Sequence, residues 1–240
     1  MAIYLCHERP DLVDYETEVV DSRPGWVLLA EGALHPGGGG QPPDRATLEH
    51  RDGVSTVVDV AEEGGLFWYR LETADVLRGV VRVRIDEVSR FRVAQLHTAT
   101  HILNALVFQR FDGALVTGVN IEASGAARMD FDLPGVDHTL LRGLDDDMNA
   151  AIRAGLDVRA TYVPAESAAT TPGLVRSRSV APPPTPDGRL RVIEIAGLDR
   201  QACGGTHLTN TAQSAPVHVT KIDNKGRHNR RVRIALADAT

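Results

Sequence analysis

Two short segments constrain the fold of this 240-residue chain more than any other feature. His97-Thr98-Ala99-Thr100-His101 and Cys203-Gly204-Gly205-Thr206-His207 lie far apart in sequence, and each carries two side chains able to ligate a cation. On a helix His97 and His101 are one turn apart, about 40° around the axis, so both imidazoles leave the same face. Nine histidines make a His-x-x-x-His arise by accident roughly 0.3 times in such a chain, whereas a Cys-x-x-x-His arises only roughly 0.07 times. The second segment therefore carries most of the weight. Gly204 and Gly205 let its loop fold back so that thiolate and imidazole point at one centre. Three imidazoles and one thiolate suit zinc better than magnesium, calcium or manganese, so one zinc ion per chain is expected on His97, His101, Cys203 and His207. The fold must then bring a helix near residue 100 against a loop near residue 205.

A closed set of four ligands is usual for a structural ion, whereas a catalytic ion keeps a position open. One ligand yields, the ion expands to five-coordinate, or the metal shapes a pocket in which another group drives the chemistry. Sequence alone leaves these three open. A metalloprotease is disfavoured, because Thr98-Ala99-Thr100 holds no glutamate to act as base.

Around these segments the chain reads as two parts, residues 1–86 and 87–240. Short runs rich in β-formers, Glu16–Val20, Trp26–Ala30, Ala46–His50, Thr56–Val60, Leu66–Leu71 and Val80–Ile85, predict a strand-rich first part. Within it, Pro36-Gly37-Gly38-Gly39-Gly40-Gln41-Pro42-Pro43-Asp44 continues neither strand nor helix and must be a loop. It is no phosphate-binding loop, since Gln41-Pro42-Pro43 stands where Gly-Lys-Ser/Thr is needed. Apolar residues at three- and four-residue steps predict a helix from Glu87 to about Phe111. A second is predicted from Asp137, as N-cap, to Gly155. A proline-rich surface loop is expected at 182–188, a strand at Leu190–Ile195, and a closing hairpin from Pro216–Ile222 and Arg231–Leu236 around Asn224–Asn229.

Composition excludes some classes. No apolar run approaches the roughly 18 residues of a membrane span, and the start lacks the layout of a signal peptide, so a cytoplasmic protein is expected. With Cys6 and Cys203 alone there is no disulfide framework. The net charge of −6 argues against indiscriminate nucleic-acid binding, but it is unevenly spread. Residues 1–85 carry 15 acidic and 8 basic side chains, and the remainder 17 and 18. Lys221, Lys225, Arg227, Arg230, Arg231 and Arg233 crowd one short stretch against Asp223, the end a phosphate-bearing partner would meet first.

Taken with the Gly38-Gly39-Gly40-Gln41-Pro42-Pro43-Asp44 loop, the two ligand segments resemble, in order, the motifs of the AlaX family of freestanding alanyl-tRNA editing proteins and of the editing domain of alanyl-tRNA synthetase. Lys225-Gly226 and Arg230-Arg231 resemble the family's closing basic segment, and the chain's length is similar to that of the medium form. The editing domain of threonyl-tRNA synthetase usually has proline before the last histidine, where this chain has Thr206. After Asn210-Thr211 the chain departs from the pattern, with Gln213-Ser214-Ala215 in place of an acidic residue, an apolar residue and glycine.

The resemblance implies an α+β fold: an N-terminal small β-barrel, then an editing domain with an antiparallel sheet packed on helices. It implies a trans-editing hydrolase that cleaves the ester joining serine or glycine to an alanine tRNA, engaging mainly the acceptor end. Gln41 is then a catalytic candidate that bonds substrate ester or water, with Gly39 and Gly40 allowing close backbone approach. Thr98, Thr100 and Thr206 are candidates for reading serine's hydroxyl, or else simply bond helix and backbone. Arg230 and Arg231 are candidates for phosphate contact. The rivals are a zinc-stabilised RNA-binding module without turnover and a metal-dependent hydrolase of another ester or amide.

Overall fold

The computed structural model of the chain describes residues 5–177, 184–185 and 187–237. Of the loop expected at 182–188, Pro182, Pro183 and Pro186 lie outside the described residues, as do the first four residues. The described residues form two compact units. The first runs up to Gly38 and from Pro42 to Phe91, the second holds Gly39–Gln41 and everything from Arg92 onward.

The first unit opens with a short helix α1, Leu5–Glu8, and then six antiparallel strands: β1 Asp14–Arg23, β2 Trp26–Leu29, β3 Ala46–His50, β4 Gly53–Glu63, β5 Leu66–Leu71 and β6 Val80–Ile85. They close into a barrel in the order β1-β2-β5-β4-β3-β6. The period of two is plainest in β6, where Val81, Val83 and Ile85 are buried while Val80, Arg82 and Arg84 face out. Those three pack with Val27, Leu48, Val57, Tyr69 and Leu71 to fill the interior. Every strand expected from sequence in this part is present.

The long loop between β2 and β3 is pinned at both ends. His35 N–H donates to Asp44 Oδ2 at 2.5 Å and Asp44 N–H donates to the His35 carbonyl at 3.0 Å. Arg90 pairs with Asp44 and donates to the Ala33 carbonyl at 2.6 Å. Arg90 lies in α2, Glu87–Arg110, which explains why the division between units passes through the first turns of that helix rather than just before Glu87.

In the second unit α2 is followed by β7 Val116–Glu122, β8 Ala126–Asp132, α3 His138–Arg142, α4 Leu144–Arg153, β9 Val158–Pro164, a one-turn α5 Ser167–Thr170, β10 Arg189–Ile195, β11 Asp199–Ala202, β12 Val217–Lys225 and β13 Asn229–Leu236. Two antiparallel sheets result, β11-β10-β9 and β12-β13-β8-β7. Leu96, Ala99, Ile102 and Leu103 of α2 share one core with Met129 and Phe131 of β8, Ile193 of β10 and Val232 and Ile234 of β13. The α+β class with an N-terminal barrel is therefore what the chain adopts.

One element differs from expectation. The single helix predicted between Asp137 and Gly155 is two, broken at Gly143. Its ends are as expected: Asp137 caps α3 by accepting from Thr139 N–H, and Gly155 follows α4 at φ +63°. Glycine is the poorest helix former after proline, and Gly143 is both the last cap of α3, its N–H still bonded to the Thr139 carbonyl at 3.1 Å, and the first cap of α4.

Candidate metal centre

Most surface helices bury one stripe, but α2 is enclosed on all sides from Val93 to Ala105. Within that stretch sit six polar residues, Gln95, His97, Thr98, Thr100, His101 and Asn104. A buried polar group without a partner costs about 1–3 kcal/mol, so each needs one. Gln95 accepts from Ala215 N–H at 2.8 Å and Thr100 donates to the His97 carbonyl at 2.7 Å. The other four belong to the centre or its surroundings.

His97, His101, Cys203 and His207 come together, one potential ligand atom from each lying within 4.8 Å of the others. Cys203 Sγ is 3.4 Å from His97 Nε2 and 3.4 Å from His207 Nε2. The outward nitrogens are all engaged: His97 Nδ1 meets Gln41 Oε1 at 2.8 Å, His101 Nδ1 meets Asp199 Oδ2 at 2.9 Å, and His207 Nδ1 meets Thr98 Oγ1 at 3.3 Å. When each Nδ1 donates its hydrogen outward, the three Nε2 lone pairs are turned toward the thiol.

Electrostatics favours a ligating sulfur. Burial pushes the Cys203 thiol up, but the imidazoles of His97, His207 and His101 outweigh it and hold it well below its ordinary value. The thiolate is the form that binds metal. Burial also works against a proton on His101, yet Cys203 and Asp199 together raise it to about 9, so a cation entering here displaces a proton. His207 moves the opposite way, held well below its ordinary value by burial and by His97.

Two glycines make room for this arrangement. A β-carbon on Gly205 would fall 2.0 Å from His97 Cε1 and 2.6 Å from Gln41 Oε1. Gly40, at φ +90°, sits against β7, where a β-carbon would meet Val119 Cγ1 at 2.5 Å. Its carbonyl accepts from Ile121 N–H at 2.7 Å, which is why Gly39–Gln41 belong with the second unit. Gln41, 4% exposed, is thereby delivered to the centre: Oε1 accepts from Thr206 N–H at 3.0 Å as well as facing His97, and Nε2 donates to Thr206 Oγ1 at 2.9 Å.

Three residues that no sequence signal singled out complete the surroundings. Asp199 and Gln201, two apart on β11, face α2 and reach His101 and Asn104. Arg191 of β10 donates from Nη1 to the carbonyls of Cys203 and Gly205, both at 2.9 Å, and so holds the loop that carries Cys203 and His207. The polar stripe His97, His101, Asn104 at helical spacing was the one clue that something polar had to face this helix.

Arg230 and Arg231 stand elsewhere. Arg230 is 8% exposed and donates to the Val136 and Asn229 carbonyls. Arg231 forms a bidentate pair with Asp130, both bonds at 2.7 Å. At the turn joining β12 and β13, Lys225, Arg227 and His228 are exposed instead. Gln213, at the departure from the family pattern, closes a capping box with Asn210. No helix among the described residues is long and apolar enough to cross a membrane.

A family model described as the threonyl and alanyl tRNA synthetase second additional domain matches residues 190–233, from β10 through Cys203 and His207 into β13. The chain is similar to the alanyl-tRNA editing protein AlaX-M of Saccharolobus solfataricus, 33% identical over 91% of this chain and 92% of that protein. AlaX-M of Methanosarcina mazei is 30% identical over 95% of this chain and 93% of its own length. The alanine–tRNA ligase of Korarchaeum cryptofilum is 29% identical over 90% of this chain, a match that takes up 24% of the ligase.

Proposed function

The chain belongs to the AlaX-M family of alanyl-tRNA editing proteins, and from that premise we propose that it is a trans-editing hydrolase. Its substrates are alanine tRNAs wrongly charged with serine or glycine, and it works in the cytoplasm, where charged tRNA is used. The observation that carries the reading is the convergence of His97, His101, Cys203 and His207 in a chain similar to AlaX-M over nearly its whole length.

The four residues fit a zinc ion. Their donor set is the borderline-soft one zinc prefers, the neighbouring imidazoles favour loss of the thiol proton, and each imidazole's far nitrogen is already engaged. Bound there, zinc supplies Lewis acidity that polarises an ester carbonyl and acidifies water. Gln41 orients His97 and Thr206, and with Oε1 taken twice and Nε2 donating once, its second Nε2 hydrogen has no acceptor among the described residues. That hydrogen is the one we assign to the substrate ester or the attacking water.

Of the three threonines, Thr98 and Thr206 are assigned to the amino acid. Thr206 Oγ1 accepts from Gln41, and Thr98 Oγ1 accepts from Leu208 N–H at 3.2 Å and from His207 when that ring ligates. Each keeps its own hydroxyl hydrogen for serine. Thr100 has given its hydrogen to the His97 carbonyl, and we assign it to the helix. For the tRNA acceptor end, exposed Lys225 and Arg227 are better placed than the internally bonded Arg230 and Arg231.

Release of amino acid from seryl-, glycyl- and alanyl-tRNA for alanine tests the proposal. Fast loss of serine or glycine with alanine spared supports it. No release from any of the three by folded, zinc-loaded protein points instead to a zinc-stabilised RNA-binding module. A Gln41→Ala variant with full activity and unchanged metal content would remove the role given to Gln41.

A further inference from the structure

Behind His101, on its Nδ1 side, lies a polar network that supplies no ligand. Asp199 has no exposed side-chain surface, and its Oδ2 accepts from His101 Nδ1 at 2.9 Å and from Gln201 Nε2 at 2.7 Å. Gln201 Oε1 accepts in turn from Asn104 Nδ2 at 2.9 Å, three residues beyond His101 on the same helix. Arg176 Nη1 stands 2.9 Å from Asp199 Oδ1. Its guanidinium lies over the Phe108 ring, 4.3 Å from the centroid, and its Nε donates to the Gly173 carbonyl at 3.0 Å.

A buried carboxylate is costly unless a charge and hydrogen bonds compensate it, and here the fold commits an arginine and a glutamine to that task. The three acceptors behind the imidazoles are not equivalent. Gln41 Oε1 is turned to His97 because it also accepts from Thr206 N–H, but it carries no charge, and the Thr98 hydroxyl can rotate to donate to His207 instead of accepting. An ionised carboxylate can only accept. Asp199 therefore holds the hydrogen on Nδ1 of its histidine with a full charge, which neither neutral partner brings, and leaves Nε2 as the nitrogen that ligates.

We infer that Asp199, held by Arg176 and Gln201, is a positioning residue that sets the ligating tautomer of His101 and with it the metal affinity of the centre. The inference rests on the reading of the four-residue cluster as a metal site. It concerns binding of the ion, so it can be tested without tRNA.

Zinc affinity is measured on the full chain by competition with a chelator, alongside the thermal midpoint of the metal-free protein. Asp199→Asn combined with Arg176→Met removes both buried charges at once, so that no uncompensated cation is left in the core. Gln201→Ala loosens Asp199 without touching a charge. The double variant is expected to keep a midpoint close to the parent's while zinc binding weakens about 10- to 100-fold, the usual cost of losing an outer partner of a metal ligand. Gln201→Ala is expected to weaken binding in the same direction by less. Affinity within about twofold of the parent in the folded double variant overturns the inference. Should the double variant not fold, Gln201→Ala decides alone, with weakened binding supporting the inference and parental affinity overturning it. A parent chain that takes up no zinc is a separate failure, that of the metal reading itself.

Discussion

Gly205 and His97 are so close that a single added methyl group would put carbon 2.0 Å from the imidazole Cε1. The atom it meets is on a buried histidine whose Nδ1 is bonded to Gln41, and Gln41 Oε1 would itself lie 2.6 Å from the new carbon, so the ring has no room to swing aside. Gly205→Ala is expected to strip the centre of metal and to destabilise the second unit by about 1–3 kcal/mol, the usual cost of overpacking. Metal content by elemental analysis and a urea unfolding curve read both effects. A zinc-replete, parent-like Gly205→Ala protein would mean that the loop has more freedom than this packing allows.

The glycine run makes a graded prediction. Gly38 and Gly40 both have positive φ, +106° and +90°, but a β-carbon on Gly38 meets nothing within 4 Å, whereas one on Gly40 meets Val119 Cγ1 at 2.5 Å and its carbonyl oxygen at 2.7 Å. Gly38→Ala carries only backbone strain, about 1–3 kcal/mol, and Gly40→Ala adds the clash. The Gly40 variant should unfold at lower urea and lose more activity, because Gly40 precedes Gln41. Equal midpoints for the two would argue against the packing of Gly40 on β7.

Basic residues near the C-terminus separate into two behaviours. Lys225→Ala and Arg227→Ala should leave stability unchanged and make tRNA affinity fall less steeply with salt, since each phosphate contact contributes about one unit to that slope. Arg231→Ala should instead lower stability by about 1–3 kcal/mol by breaking two charge-assisted bonds to Asp130. Salt titration of tRNA binding together with unfolding curves distinguishes them. An unchanged salt slope in a Lys225→Ala/Arg227→Ala protein would exclude the turn as a phosphate contact.

Acid stability gives a test at the start of α3. The Thr139 amide and hydroxyl hold the Asp137 carboxyl below the ordinary aspartate value of 3.8. A carboxyl lowered on folding stabilises the native state above the unfolded value, and the benefit disappears as pH falls through the folded one. Asparagine caps nearly as well and does not titrate. The stability difference between parent and Asp137→Asn should therefore stay constant above about pH 5 and shift against the parent below pH 4. Parallel curves down to pH 2 would show that Asp137 contributes nothing through its charge.

How far these features could be read in advance depended on whether a side chain's role is set locally. The barrel strands were legible because alternation is a property of consecutive residues, as in Val81, Val83 and Ile85. The four cluster residues were legible because each pair sits within one turn or one loop. Asp199, Gln201 and Arg191 were not, because their roles arise from the pairing of β10 with β11 and the approach of β11 to α2. Gly143 was passed over because a lone glycine inside an apolar pattern is often tolerated, and only tertiary packing decides whether the axis turns there. Arg230 and Arg231 looked like a surface patch in the sequence, yet alternate residues of β13 face inward, and Asp130 on neighbouring β8 claims Arg231.

The most direct test of zinc-dependent editing is the rate of amino-acid release from misacylated alanine tRNA as zinc is withdrawn by a chelator and then restored, with circular dichroism followed throughout. The rate is expected to track zinc occupancy in both directions, and a Cys203→Ala protein to show neither occupancy nor release. Release that continues at full rate after zinc has left a folded chain would contradict it.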